Sequence, residues 1–178
     1  MIADHDNANL LPSTLATVSA AQKIGGEVDV LIAGSVGVDK TVGTQAAAVA
    51  GVSKVIALEN ANLGKRVAED LSKAIMSSGV LKNYTHVLHG SSNAGKNFFP
   101  RLAALSDASP ATDVLQVVSD DTFKRPMYAG NAIVTVKMSD PVKFLLIRPT
   151  AFEKATATGG AGKVETMALT DDQVGTHA

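Results

Sequence analysis

The stretch HVLHGSSNAGKNFFPRLAALSD, His86 to Asp107, decides how the rest of the chain is read. It opens as a short apolar strand, passes through a loop rich in glycine and serine, and continues with Phe98, Phe99, Leu102 and Leu105 at helical spacing. Pro100 falls in or near the first helical turn, so the helix is expected to start late or to bend there. The loop holds Gly90, four residues, then Gly95 and Lys96, one residue short of a phosphate-binding P-loop. The hydroxyl residue that would ligate magnesium is replaced by Asn97, which offers only an amide oxygen.

The same strand–loop–helix unit recurs upstream. Met1-Ile2-Ala3 reads as the end of a strand, and a helix starts near Pro12 with Leu15, Val18, Ala21 (or Gln22) and Ile24 on one side and Gly25-Gly26 as its stop. EVDVLIAG (27–34) reads as a strand whose apolar end is covered on both faces, and KVIALEN (54–60) as the next strand. Asp39 is placed as the cap of a helix over KTVGTQAAAVAG, and Asn62 as the cap of LGKRVAEDLSKAIMSSG, whose stripe is Val67, Leu71, Ala74 and Ile75. Four such repeats predict an α/β fold, a doubly wound and mainly parallel sheet with right-handed crossovers.

Downstream the pattern changes. ATDVLQVVSDDTF (111–123) gives a strand. IVTVKMSDPVKFLLIRP (133–149) reads as a β-hairpin turning at Ser139-Asp140-Pro141, which places antiparallel strands at one edge of the sheet. From Phe152 the chain is rich in Thr, Ala and Gly without periodicity. The expected division is therefore a scaffold domain over 1–151 and a flexible linker over 152–178 that leads towards a missing domain.

Composition bounds the function. With 178 residues the chain is long enough for one domain with its own core. Sixteen basic residues against 17 acidic ones give a net charge of −1, and no electrostatic case for nucleic acid or a membrane surface. There is no cysteine, so disulfides, thiolate metal sites and cysteine nucleophiles are excluded. No apolar run reaches the ~18 residues of a membrane span, and no signal peptide is visible at the N-terminus.

Each chemical motif has a plainer counterpart. The Gly90–Asn97 loop reads as a Mg-nucleotide site, as an anion or ribose contact, or as a turn softened by glycine; Asp120-Asp121 would be its metal-binding acid but runs into a turn. His86 and His89, at i and i+3 on a strand, face opposite ways, and His5 and His177 are distant in sequence, so no metal site is expected. Asp4-His5-Asp6 reads as acid–base chemistry or as a solvated loop at a strand end. Ser91-Ser92 has no base nearby in sequence. GSVGVDK (34–40) lacks the third glycine of a dinucleotide fingerprint. Lys65, Arg66 and Lys73 with Glu69 and Asp70 read as a solvated helix face.

Taken together, HVLHGSSNAGKNFFPRLAAL and ATDVLQVVSDDTFKRPMYAGNAIVTVK, with IAGSVGVDK, GVSKVIALEN and IRPTAFEKA in this order, resemble the N-terminal domain of the α subunit of electron transfer flavoprotein, over about residues 2 to 155. Arg125-x-x-Tyr128-Ala129-Gly130-Asn131-Ala132 and Gly95-Lys96-Asn97-x-x-Pro100-Arg101 carry the likeness, and Asn97 is then the family's usual residue. The resemblance implies a sheet of the adenine-nucleotide-hydrolase-like type. It also implies the scaffold half of a heterodimeric electron carrier rather than an enzyme, working beside a β subunit that carries AMP. FAD would sit in a flavin domain absent here, so no cofactor is expected on this fragment alone and no catalytic, cofactor or metal residue is carried over. Electrons would come from matrix dehydrogenases, among them the acyl-CoA dehydrogenases, and go to a quinone oxidoreductase, in the mitochondrial matrix of a eukaryote or the cytoplasm of a bacterium. The rival reading is a stand-alone nucleotide-binding α/β domain, universal-stress-like or a degenerate NTPase.

The segment KRPMYAGNA (124–132) supplies the interface candidates Arg125, Tyr128 and Asn131. Arg125 can pair with a carboxylate, Tyr128 joins apolar area to a hydroxyl, and Gly130 permits an unusual backbone angle. The plainer reading packs Tyr128 at a sheet corner and leaves Gly130 and Asn131 as a turn.

Overall fold

The computed structural model describes residues 1–175; His177 lies outside them. Six strands are parallel to their neighbours. β1 (Val28–Gly34) pairs with β2 (Val52–Glu59), β3 (His86–Gly90) pairs with β8 (Lys143–Ile147), and β4 (Pro110–Val114) pairs with the other side of β8. β9 (Lys163–Ala168) pairs with the far side of β2. Residues 1–3 join the two halves: the Ile2 amide donates to Leu88 O (2.8 Å), the Ala3 amide to Leu31 O (2.8 Å), and the Leu31 amide to Met1 O (2.7 Å). The order across the molecule is thus β4, β8, β3, residues 1–3, β1, β2, β9.

Helices cover both faces. α3 (Ala68–Ser78) and α4 (Asn93–Leu105) lie on one side, where Leu71, Ile75, Phe99 and Leu102 meet Leu58, Phe144 and Leu146. α1 (Pro12–Ile24) and α2 (Thr44–Ala47) serve the other, where Ala16 and Ala20 meet Leu145 and Ile147 while Val18 and Ala46 meet Ile32 and Val55. Alternate residues of one strand enter different cores, as a strand covered on both faces requires. Pro12 opens α1 as expected, but α4 starts at Asn93, well before Pro100, and Leu105 at its end is exposed.

The expected hairpin over 133–149 does not form. β8 enters the parallel sheet between β3 and β4, because Phe144, Leu145, Leu146 and Ile147 are all buried and such a run has no solvent face to give a hairpin. The alternating strand β7 (Ala132–Lys137) pairs instead with β6 (Thr122–Met127), and β6 with β5 (Gln116–Val117), in a small antiparallel sheet. This sheet continues from the β4 edge, where the Leu115 amide donates to Lys124 O (2.8 Å), and Phe123 drives it into the core beneath.

Two caps also differ. Glu59 Oε1 accepts from the Gly37 and Asp39 amides (3.1 and 3.0 Å), so the helical segment starting at Asp39 is capped by a carboxylate from β2 rather than by Asp39. Asn60, not Asn62, caps the 3-10 turn Ala61–Lys65, and α3 follows only at Ala68 with no side-chain cap. The tail expected to be flexible is built in from Ala155 onward. The Ala155 amide donates to Leu15 O (3.1 Å), and the Gly160 and Gly162 amides to Ala48 O and Ala47 O (2.8 and 3.0 Å). β9 then joins the sheet, and Leu169 and Val174 are buried beside Leu71 and Ile75. Low complexity concealed a segment whose backbone, more than its side chains, makes the contacts.

Candidate functional site

The glycine loop after β3 is closed on itself. The Ser91 amide donates to Ile147 O (2.7 Å) and the Ser92 amide to Gly90 O (2.8 Å), while Ser92 Oγ caps α4 by accepting from the Gly95 amide (3.1 Å). Three of the N–H groups a phosphate cradle would offer are thereby taken within the chain. A Cβ on Gly95 would lie 2.3 Å from Gly90 O, so this glycine serves helix–strand contact rather than an approaching ligand. Asn97 points to solvent. Asp121 lies in the turn before β6, its Oδ1 held by Ser119 and Thr122 and its Oδ2 3.2 Å from Lys137 Nζ, away from the loop. With Asn97 in place of the magnesium-binding hydroxyl residue and Asp121 held by Ser119, Thr122 and Lys137, the loop lacks the metal ligands of a Mg-nucleotide site.

Asp4-His5-Asp6 is not a solvated loop throughout: Asp4 and His5 are 3% and 2% exposed, and only Asp6 is exposed. Ser13 Oγ donates to Asp4 Oδ2 (2.9 Å). His5 Nδ1 accepts from the Asn7 amide (3.1 Å), and Arg66 NH1 lies 3.2 and 3.0 Å from the two ring nitrogens, so the guanidinium stands over the ring face. Burial and the Arg66 charge hold the His5 pKa down at about 3. His89 is fully buried between Phe98 and Phe99; Nδ1 donates to Gly90 O (2.7 Å), Nε2 has no hydrogen-bond partner among the described residues, and burial depresses its pKa. Both rings are neutral structural groups. His86, on the opposite face of β3, donates from Nε2 to Asp120 O (2.6 Å). No cluster able to hold a metal ion exists among the described residues.

At the carboxyl ends of β3, β8 and β4 an open cleft of about 620 Å³ is lined by Lys96, Thr112, Asp113, Arg125, Tyr128 and Arg148, and the β6–β7 loop forms its roof. In a parallel sheet this end is where ligand and partner sites gather. The loop, Tyr128 to Asn131, holds Tyr128 (φ 51°), Ala129 (φ 54°) and Gly130 (φ 92°) in succession at positive φ. Tyr128 does not pack at a corner: it is 77% exposed, and its hydroxyl makes no hydrogen bond among the described residues. Asn131 is exposed too, its amide donating to Tyr128 O (3.1 Å). Arg125 has no carboxylate partner among the described residues. Its Nε donates to Thr112 O and an Nη to Thr112 Oγ1, both at 2.9 Å, which ties the hairpin to β4. The carboxylate pair is elsewhere: Arg148 Nε donates to Asp113 Oδ1 (2.9 Å) and NH2 to Oδ2, and these bonds lower the Asp113 pKa. Sequence reading missed this pair and the place of Lys96 in the cleft, although a charged residue directly after an apolar strand, as Arg148 follows Ile147, marks the strand's open end.

The chain matches the family model of the electron transfer flavoprotein domain over residues 1–172. It belongs to the electron transfer flavoprotein domain family. It is 47% identical over 165 residues to the electron transfer flavoprotein subunit alpha of Pseudomonas aeruginosa, covering 93% of this chain and 52% of that protein. The mitochondrial subunit alpha of Dictyostelium discoideum is 42% identical, with 92% of this chain and 47% of the relative covered. A probable mitochondrial subunit alpha of Caenorhabditis elegans is 39% identical, with 96% and 51% covered. The chain therefore spans about half the length of the curated relatives it matches.

Proposed function

We propose that this chain is the N-terminal, scaffold half of an electron transfer flavoprotein α subunit, an electron carrier rather than an enzyme. The observation that carries the proposal is one of extent: proteins named as that subunit match 92–96% of this chain with only about half of their own length. In this reading the β subunit, carrying AMP, packs against the domain, and FAD is held by the half of the α subunit that follows. The flavin supplies the redox chemistry. The carrier takes electrons from dehydrogenases, acyl-CoA dehydrogenases among them, and delivers them to a quinone oxidoreductase. That work takes place in the mitochondrial matrix or, in a bacterium, in the cytoplasm.

What this chain contributes is rigid placement. The β6–β7 loop is the subunit contact: Tyr128 and Asn131 are presented to the partner, and Arg125 holds them there through Thr112. The test is to mix the purified chain with the β subunit and follow sedimentation and flavin absorbance. A one-to-one complex, with no saturable FAD or ATP binding by the chain alone, is the expected result. Stoichiometric nucleotide or FAD binding by the isolated chain, or no complex with β, would overturn the reading.

A further inference from the structure

The charges around the cleft do not balance. Lys96, Arg125 and Arg148 line it with one carboxylate, Asp113, and Arg148 is the cation that Asp113 holds. Arg125 gives its hydrogen bonds to Thr112 oxygens, which are neutral, and Lys96, exposed in the first turn of α4, makes no ion pair among the described residues. Two uncompensated positive charges therefore share one cleft on a chain whose net charge is −1. The rim is of the opposite character. Pro126, Met127 and Tyr128 form it, and Ile133, across the hairpin from Pro126, is 66% exposed. A large aromatic held outward by a loop at positive φ, beside an arginine, is the composition of an interface anchor.

We propose that this cleft receives an acidic segment of the β subunit, a carboxylate seated against Lys96 and Arg125 with an apolar side chain next to it covering the Tyr128 ring. The proposal rests on the heterodimer reading and adds to it the chemistry of the segment that docks. A free phosphate is a poorer match, because the Ser91, Ser92 and Gly95 N–H groups that would help to grip it are already bonded within the chain. A carboxylate needs only the side-chain cations, and pairing across a solvated cleft acts through steering and register as well as affinity.

The test measures the dissociation constant of the complex with the β subunit at low and high salt, for the wild type, Lys96→Glu, Tyr128→Ala and, as a control with the same change in net charge, Lys82→Glu. Lys96→Glu is expected to weaken binding by on the order of tenfold near ~50 mM salt, and by much less near ~500 mM, where exposed charges are screened. Tyr128→Ala weakens binding at both salts, and Lys82→Glu leaves it unchanged. Replacing the partner's acidic residue by lysine restores binding to Lys96→Glu. If the complex forms and Lys96→Glu binds within about twofold of wild type at low salt, the cleft is not the docking site, although the heterodimer stands. If the wild type itself forms no complex, the heterodimer reading falls and takes this proposal with it.

Discussion

Gly95 rests directly on the ring of His89: a methyl group at its Cα would stand 2.5 Å from His89 Nδ1. Neither side can yield easily. The ring is fixed by its bond to Gly90 O and by Phe98 and Phe99, and the loop is tied to β8 through the Ser91 amide. Gly95→Ala is therefore expected to cost about 1–3 kcal/mol through overpacking. Lys96→Ala next to it should stay within about 0.5 kcal/mol, as surface changes do. Urea unfolding of both variants checks this. Equal stabilities would mean that the helix start is free to shift and that Gly95 is not a packing residue.

The buried histidines make the fold acid-sensitive in a defined window. His5 has a pKa of about 3 in the folded chain, against an ordinary value of 6.5, because burial and Arg66 disfavour its charged form. Below the ordinary value the unfolded chain binds a proton that the folded chain refuses. The stabilisation is thus complete above pH 6.5 and is lost progressively as the pH falls towards 3. From the ordinary value down to about pH 5 this amounts to about 2 kcal/mol for His5, and the depressed pKa of His89 acts with the same sign. Unfolding free energies at about pH 7 and pH 5 should differ accordingly, and His5→Gln should flatten the slope. A slope unchanged in that variant would place the acid sensitivity elsewhere.

How much of this was legible in the sequence follows from what each segment spends on packing. β1, β2 and β3 were readable because apolar runs report burial directly; α3 and α4 were readable as helices but not in their starts, and KTVGTQAAAVAG (40–51), read as one helix, is α-helical only over Thr44–Ala47. β8 was not placed correctly: Val142, Phe144 and Leu146 suggest alternation, yet Leu145 and Ile147 between and beyond them are equally buried, in the second core. Period alone cannot tell a strand covered on both faces from one half of a hairpin. Glu59 as a cap for the segment at Asp39, and Arg66 over His5, join residues from separate elements and leave no local signal. Of the three interface candidates, Tyr128 and Asn131 are presented to solvent, whereas Arg125 turned inward to a threonine that no spacing rule singles out.

The loop that presents Tyr128 carries backbone strain that substitution can relieve. Ala129 is exposed and has φ 54°, and an L-residue in this region costs roughly 1–2 kcal/mol relative to right-handed backbone. Ala129→Gly should therefore raise stability, by up to about 1 kcal/mol after the entropy of the added glycine is set against the relief. Gly130→Ala should lower it, since φ there is 92°. Thermal unfolding of the two variants gives the signs. A drop in both would show that Ala129 earns its place through packing.

The tail supplies the sharpest contrast between a linker and a folded strap. Asn60 Nδ2 donates to Leu169 O and to Asp171 Oδ1, both at 3.0 Å, and Ser77 Oγ donates to Gln173 O (2.8 Å), so residues 169–173 are pinned to β2 and α3. Leu169 and Val174 fill the same core as Leu71 and Ile75. Leu169→Ala should therefore cost about 2–4 kcal/mol, and Asn60→Ala about 1–3 kcal/mol, because a buried carbonyl loses its donor. Glu153→Ala, in the exposed stretch just before, should change stability by less than about 0.5 kcal/mol. Hydrogen exchange gives an independent readout: the amides of β9 should be protected in the wild type and lose protection in Asn60→Ala before the central strands do. A tail that exchanges freely in the wild type, with Leu169→Ala neutral, would return residues 163–174 to the status of a linker and leave β2 as the edge of the sheet.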